Sequence, residues 1–168
     1  MAKSFEEYLR ENPKLGFSLY THNQITILTR VGQEIEYLLD EAVEGTTITH
    51  IKFERAYGLF WLWVLGAFGV IRTMCTEKDR FLPDTQKALK KSKARLIQIR
   101  APMAKQKYAG RNEEIRGELS VSGFDSDTKC FCLNVEGEEY WARALIKEFN
   151  QLVSSIGTDD IVAKGRGH

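Results

Sequence analysis

The sequence predicts a mainly α-helical protein, an antiparallel helical bundle with an appended β-hairpin and a C-terminal helix. Three observations support this fold class. Residues 56–71 form a run of sixteen residues without a formal charge, and apolar residues recur at three- and four-residue steps over residues 22–44. Apolar residues alternate with polar ones in the short segments of residues 118–135. The first two patterns are typical of helices, and the third is typical of strands.

A chain of 168 residues is the size of one domain and can bury a sizeable core. We expect a single helical domain with its hairpin over residues 1–157. Residues 158–168 contain two glycines near their end and no apolar periodicity, which predicts a flexible tail.

A short first helix is predicted over residues 5–11. Ser4 is a suitable N-cap, and Glu6 and Glu7 follow in the first turn, where the helix dipole favours anions. Asn12 and Pro13 then end the helix.

The first long helix is predicted over residues 22–44, with Thr21 as N-cap and Gly45 just after its end. Its apolar stripe consists of Ile25, Leu28, Val31, Ile35, Leu38, Leu39 and Ala42. Because only a few residues separate it from the next helix, the two must run antiparallel and pack along their length.

The second long helix, over residues 50–76, contains the uncharged run. A membrane-spanning helix needs about 20 apolar residues, whereas this run stops at sixteen between Arg55 and Arg72. We therefore favour a buried core helix over a membrane span, and an oligomer interface is the remaining alternative. The aromatic residues assigned to the core or to an interface are Tyr57, Trp61, Trp63 and Phe68.

The third long helix is predicted over residues 84–104, after Leu82 and Pro83. Its narrow apolar seam consists of Leu89, Ser92, Leu96, Ile99 and Met103. Pro102 disfavours helical geometry at the preceding residue, which predicts a kink or an end there.

The hairpin is predicted over residues 118–135, with strands 118–122 and 129–135 on either side of a turn at 123–127. A last helix is predicted over residues 138–156. Its apolar face includes Trp141, Leu145, Phe149, Leu152, Val153 and Ile156.

Charge is distributed unevenly along the chain. Residues 78–116 contain twelve basic and four acidic residues, a formal charge of +8 in a chain whose total is +1. Such a split indicates an anionic partner, either nucleic acid or an acidic protein surface. The alternative is a solvated or internally paired helix face. The candidate anion-binding residues within the basic helix 87–111 are Lys87, Lys90, Lys91, Lys93, Arg95 and Arg100.

No catalytic residue, metal ligand, cofactor or small-molecule substrate is identified. The three histidines are His22, His50 and His168, and they form no metal-binding or catalytic motif. Cys130 and Cys132 with Cys75 lack the spacing of a zinc site, so we interpret them as small buried residues. A hydrolase built on carboxylates is a third hypothesis, although no nucleophile–base set supports it.

Long antiparallel helices with a basic segment are similar in outline to HEPN-type helical domains, many of which are ribonucleases. The catalytic signature of that family is an arginine followed four to six residues later by a histidine. No arginine precedes any of the three histidines at that distance. This absence argues against a catalytically active member of that family. The resemblance covers only the coarse helix pattern, which many bundles share, and a non-catalytic HEPN-like bundle belongs to the nucleic-acid-binding alternative.

The favoured hypothesis is a small accessory or regulatory protein without enzymatic activity, which self-associates or binds a protein partner through the aromatic helix. RNA or DNA binding through the basic helix is the alternative. Three cysteines and a charged N-terminal stretch without an apolar segment predict a cytoplasmic setting with free thiols.

Overall fold

A computed structural model describes residues 4–44, 47–105, 107, 109–110 and 121–162. It confirms the predicted fold class, because long helices pack antiparallel and are followed by a small sheet and a C-terminal helix. The chain begins with two short helices, α1 (Phe5–Glu11) and α2 (Lys14–Phe17). The Ser4 hydroxyl accepts from the Glu7 amide and the Glu7 carboxylate accepts from the Ser4 amide, which is a capping box at the start of α1.

The first long helix, α3, spans Leu19–Ala42. Its N-cap is Ser18, whose hydroxyl accepts a hydrogen bond from the amide of Thr21. The helix therefore starts three residues before the predicted position, because the earlier of two suitable capping residues is the one used. Its C-terminal end is also earlier than predicted. The strands β1 (Val43–Glu44) and β2 (Thr47–Ile48) pair antiparallel directly after it.

The second long helix, α4, spans His50–Thr76, as predicted. A short 3-10 helix at Lys78–Arg80 leads to α5, which spans Pro83–Lys105. Pro102 lies inside the last turn of α5, so the helix continues past the position of the predicted kink or end. The helix α4 lies between α3 and α5 and contacts both of them along its length.

The β region differs from the prediction, because it has three strands. They are β3 (Gly123–Asp125), β4 (Cys130–Val135) and β5 (Glu138–Trp141), paired antiparallel in that order. The first three residues of the predicted turn thus belong to the strand β3, and the turn itself lies at residues 126–129. Residues 118–120 of the predicted first strand lie outside the described residues.

The strand β5 occupies the first four residues of the predicted last helix, so that helix, α6, spans Ala142–Ser155. The reason is the two-residue loop between β4 and β5. Both Glu136 and Gly137 have positive φ values, 54° and 87°. Such a loop matches the twist of paired strands and turns the chain back as a hairpin before a helix can begin.

The core lies between the layer α3–α4–α5 on one side and α6 with the three-stranded sheet on the other. Aromatic rings join the two sides. Phe131 of β4 packs edge-on against Phe60 with ring centroids 5.2 Å apart, and Phe149 of α6 packs edge-on against Trp63 at 5.4 Å. Consequently, one side of α4 faces the core and its opposite side faces away from it.

Arg80 holds together two segments that are far apart in sequence. Its guanidinium donates hydrogen bonds from Nη2 to the carbonyl oxygen of Gly16 at 2.7 Å and from Nε to that of Val162 at 3.0 Å. We call these contacts the Arg80 clamp. Residues 158–162, which the sequence places in a flexible tail, are therefore attached to the domain. The rest of the predicted tail, residues 163–168, lies outside the described residues.

Candidate functional site

Three of the four aromatic residues singled out on α4 pack inward. Trp63 is only 1% exposed, and its Nε1 donates to the carbonyl oxygen of Leu28 at 3.1 Å. Phe68 is buried, and Tyr57 packs edge-on against Phe131. Trp61 differs, because it is 42% exposed although its Nε1 donates to the carbonyl oxygen of Met103 at 3.2 Å. Only Trp61 of the four is available to a partner.

The side of α4 that points away from the core is apolar. We define its outer face as Ile51, Gly58, Leu62, Leu65 and Gly69, which follow one another at three-, four- and seven-residue steps. Leu62 is 58% exposed and Ile51 is 78% exposed. A Cβ atom built at Gly58 or Gly69 meets nothing within 4 Å. The outer face is therefore flat and open, and leucine side chains lie at its middle.

Apolar exposure continues onto α3. Ile27 is 59% exposed and Tyr20 is also exposed. Ile27 lies two helical turns before Glu34, whose carboxylate pairs with the guanidinium of Arg55 on α4. Ile27 is thus on the side of α3 next to the outer face. Ile27 lies outside the apolar stripe of α3 and was not predicted as a site residue. An apolar residue on the otherwise polar side of a helix is the signal that could have identified it.

The helix α4 is also the one helix among the described residues that is long and apolar enough to span a membrane. Half of its most apolar window is buried inside the structure. A helix with these properties is common in the cores of folded domains, so the composition alone is weak evidence for a membrane.

The six candidate anion-binding residues divide into two groups. Arg95 and Arg100 take part in internal contacts. The Arg95 guanidinium pairs with the carboxylate of Glu148 at 3.0 Å and lies 5.6 Å from the ring centroid of Tyr140. The Arg100 guanidinium lies 5.3 Å from the ring centroid of Phe68. Their charges thus serve packing between α5 and its neighbours.

The remaining lysines are available to a partner. Lys87, Lys90 and Lys91 are exposed, whereas Lys93 is half-buried. Within the part of the chain that the structure describes, none of these four ammonium groups makes a hydrogen bond or an ion pair. We call Lys87, Lys90 and Lys91 the basic strip, because their spacing places them on one face of α5. Residues 111–120 of the basic segment lie outside the described residues.

Two shallow grooves flank α6. One has a volume of about 560 Å³ and lies between α3 and α6, where Glu36, Arg143 and Lys147 line it. The other, of about 320 Å³, lies between α5 and α6, where Lys91 lines it with the Arg95–Glu148 pair. Both grooves are open to solvent. Arg143 of the first groove pairs with Asp40, and Arg95 and Glu148 of the second pair with each other.

Burial shifts the pKa of several titratable side chains. Burial raises the pKa of the Cys75 thiol, although Lys93 and Lys90 partly offset this, and burial also raises the pKa of the Cys130 thiol. Desolvation lowers the pKa of His22. Over the described ranges, no group of three metal-binding side chains occurs.

Family models, curated proteins and solved structures give no match to this chain.

Proposed function

We propose that this protein is a non-enzymatic helical interaction module, a small cytoplasmic accessory or regulatory protein that binds a protein partner or a second copy of itself through the outer face of α4. The supporting observation is the exposure of Leu62 beside Gly58 and Gly69, in a stretch of sixteen residues without a formal charge. An exposed apolar patch of this kind on a folded domain is typical of an interaction site.

The composition of the patch also favours a protein partner. Burial of an aliphatic side chain stabilises a complex by about 25 cal/mol per Å² of apolar surface removed from water. Leu62 and Ile27 leave more than half of their surface for such burial. Trp61 lies at the edge of the patch, and tryptophan is enriched among the residues that contribute most to binding energy. Partner binding would therefore centre on Leu62.

A photoreactive amino acid at position 62 tests the proposal in cells. We expect irradiation to produce specific cross-links to protein at Leu62, because the outer face would be covered by its partner. The matched control position is Lys147, which is exposed on α6, on the other side of the molecule. Mass spectrometry would identify the cross-linked chain. Equal cross-linking at both positions, or none at position 62, would contradict the proposal.

A second candidate function is binding of RNA or DNA phosphates by the basic strip. The observation that favours it is the absence of any ion pair at Lys87, Lys90 and Lys91 within the described residues, although acidic residues are plentiful on α3. Lysines that neutralise phosphates release counterions, which makes such binding weaken steeply as salt rises. Contacts of this type position the backbone and do not specify sequence.

Replacement of all three strip lysines by glutamate is expected to abolish binding of single-stranded RNA, as measured by fluorescence anisotropy. With alanine at the same positions, the negative slope of log K against log salt should become shallower by about 2, since each lost phosphate contact on a single strand contributes about 0.7. Lys147→Glu is the single-charge control. An unchanged slope in the alanine variant would remove this candidate.

A further inference from the structure

We propose that the outer face of α4 is self-complementary, and that it binds a second copy of this chain to form a two-fold symmetric dimer in which the two α4 helices run antiparallel. This inference rests on the proposed function, because it uses the same surface. It goes further by naming the occupant.

The residues of the outer face are arranged symmetrically along α4. Leu62 and Leu65 lie at equal distances from the midpoint between Trp63 and Val64, and Gly58 and Gly69 lie at equal, larger distances from it. When two identical helices pack antiparallel about a two-fold axis at that midpoint, Leu62 lies opposite Leu65 of the partner subunit. Gly58 then lies opposite Gly69 of the partner subunit. An isologous interface requires this kind of symmetry from a single surface.

The glycines of the outer face leave room for a second helix to approach. Gly58 and Gly69 have open space where a Cβ atom would lie, whereas a Cβ at Gly66 would come within 2.8 Å of Leu28 inside the domain. Gly66 thus has a packing role within the domain. No described residue of the same chain requires the absence of a side chain at Gly58 or Gly69. In the dimer, both glycines allow the backbones of the two helices to approach each other on either side of the central leucines.

The charges of Glu54 and Arg72 favour an antiparallel pairing of the two α4 helices. Glu54 and Arg72 are eighteen residues apart, which is five full helical turns, so they point to the same side of α4. Both are exposed, and the Glu54 carboxylate lies 3.5 Å from Nδ1 of His50, one turn earlier on the same helix. In the antiparallel dimer, Glu54 of each chain faces Arg72 of the partner subunit. A parallel pairing would leave Glu54 and Arg72 of the partner subunit about 27 Å apart along the helix axis, at 1.5 Å per residue, so these two charges could not pair.

The outer face of α4 is widened by the neighbouring side of α3, which makes the surface large enough for a dimer interface. The hydrogen bond from Trp63 to the carbonyl oxygen of Leu28 places Ile27 at the height of the midpoint, beside the two-fold axis. Ile27 therefore meets its own copy in the dimer. At 1.5 Å per residue α4 is roughly 38 Å long, and with the neighbouring side of α3 the surface is about two helix diameters, roughly 20 Å, wide, which offers roughly 760 Å² per chain. This area is close to the roughly 800 Å² per partner of a standard-size interface.

Charge reversal distinguishes this dimer from any other. We expect light scattering and sedimentation of the purified protein to give twice the chain mass of 19.2 kDa. Glu54→Arg and Arg72→Glu should each weaken the dimer at least tenfold, because each places like charges opposite each other. The double variant restores opposite charges, so its dissociation constant should return to within about threefold of the original. Lys147→Glu, a matched reversal on α6, should have no effect.

The experiments distinguish failure of the dimer from failure of the proposed function. A monomer at all concentrations, together with cross-links from position 62 to another protein, would overturn the dimer and leave the proposed function standing. A dimer indifferent to both charge reversals would place the interface elsewhere and overturn the inference. Absence of cross-links at position 62 would overturn both. Since Glu54 and Arg72 are exposed, these variants should keep the fold, which circular dichroism verifies.

Discussion

Trp63→Ala is expected to lower the free energy of unfolding by about 4 kcal/mol, since removal of a fully buried tryptophan loses apolar contacts and leaves a cavity. The Trp63 ring stacks on Phe60 at 6.0 Å between centroids and packs edge-on against Phe149 of α6, so its loss separates α4 from α6. Domains are stable by about 5–15 kcal/mol in total. The variant should therefore be close to unfolding, as urea denaturation followed by circular dichroism would measure.

Trp63→Phe is the control for this prediction. It keeps an aromatic ring against Phe60 and Phe149 but loses the hydrogen bond to the carbonyl oxygen of Leu28. We expect a smaller loss, about 1–2 kcal/mol. Equal losses in the two variants would show that the hydrogen bond contributes more to stability than the ring packing. That result would contradict the role of the Trp63 ring in joining α4 to α6.

Arg143→Met is expected to lower the free energy of unfolding by about 2 kcal/mol, because a charge-assisted hydrogen bond contributes roughly 1.5–3 kcal/mol. Arg143 of α6 donates from Nη2 to the carboxylate of Asp40 at 2.7 Å and to the carbonyl oxygen of Glu36 at 3.4 Å. Its Nε donates to the carbonyl oxygen of Lys129 at 3.4 Å. One side chain thus connects α6 to the end of α3 and to the turn before β4. Urea denaturation again measures the loss.

The matched control is Arg55→Met on α4. Arg55 pairs with Glu34, and both side chains are largely exposed. Exposed ion pairs contribute about 0–1 kcal/mol, since water already solvates both charges. We therefore expect a loss of at most about 1 kcal/mol. If Arg55→Met cost as much as Arg143→Met, the position of Arg143 at the junction of three elements would have no special importance.

The central place of α4 in the core could be predicted from the sequence because its signal is local. The uncharged run of residues 56–71 must be buried on most sides, and the helix continues beyond it on both sides, to His50 and Thr76. The start of α3 was missed because Ser18 and Thr21 are both good N-caps, and local sequence does not rank them. Local preference therefore defines the helix but not which of two caps it uses.

The strand β5 could not be predicted because two local patterns compete over residues 138–141. Trp141 continues the apolar spacing of Leu145 and Phe149, which favours a helix. The turn at Glu136 and Gly137 instead directs the chain back along β4, where four backbone pairs form. Pairing with a neighbouring strand therefore outweighs helical periodicity at this point.

The candidate site was predicted in part. The spacing of charges located the basic residues, but Glu148 and Tyr140, which engage Arg95, lie more than forty residues away in sequence. A contact of this kind is set by tertiary packing. The same limit applies to Ile27, whose position beside the outer face depends on the pairing of α3 with α4.

The Arg80 clamp has a consequence for how the protein opens. One guanidinium binds the carbonyl oxygens of Gly16 and Val162, and the amide of Val162 donates to the carbonyl oxygen of Arg80 at 3.0 Å. Neither end segment can detach without leaving the shared side chain with fewer partners. Local fluctuations of the two ends are therefore thermodynamically coupled, so that they behave as one cooperative unit. Hydrogen exchange at the Val162 amide, compared with and without Arg80→Met, would report this coupling.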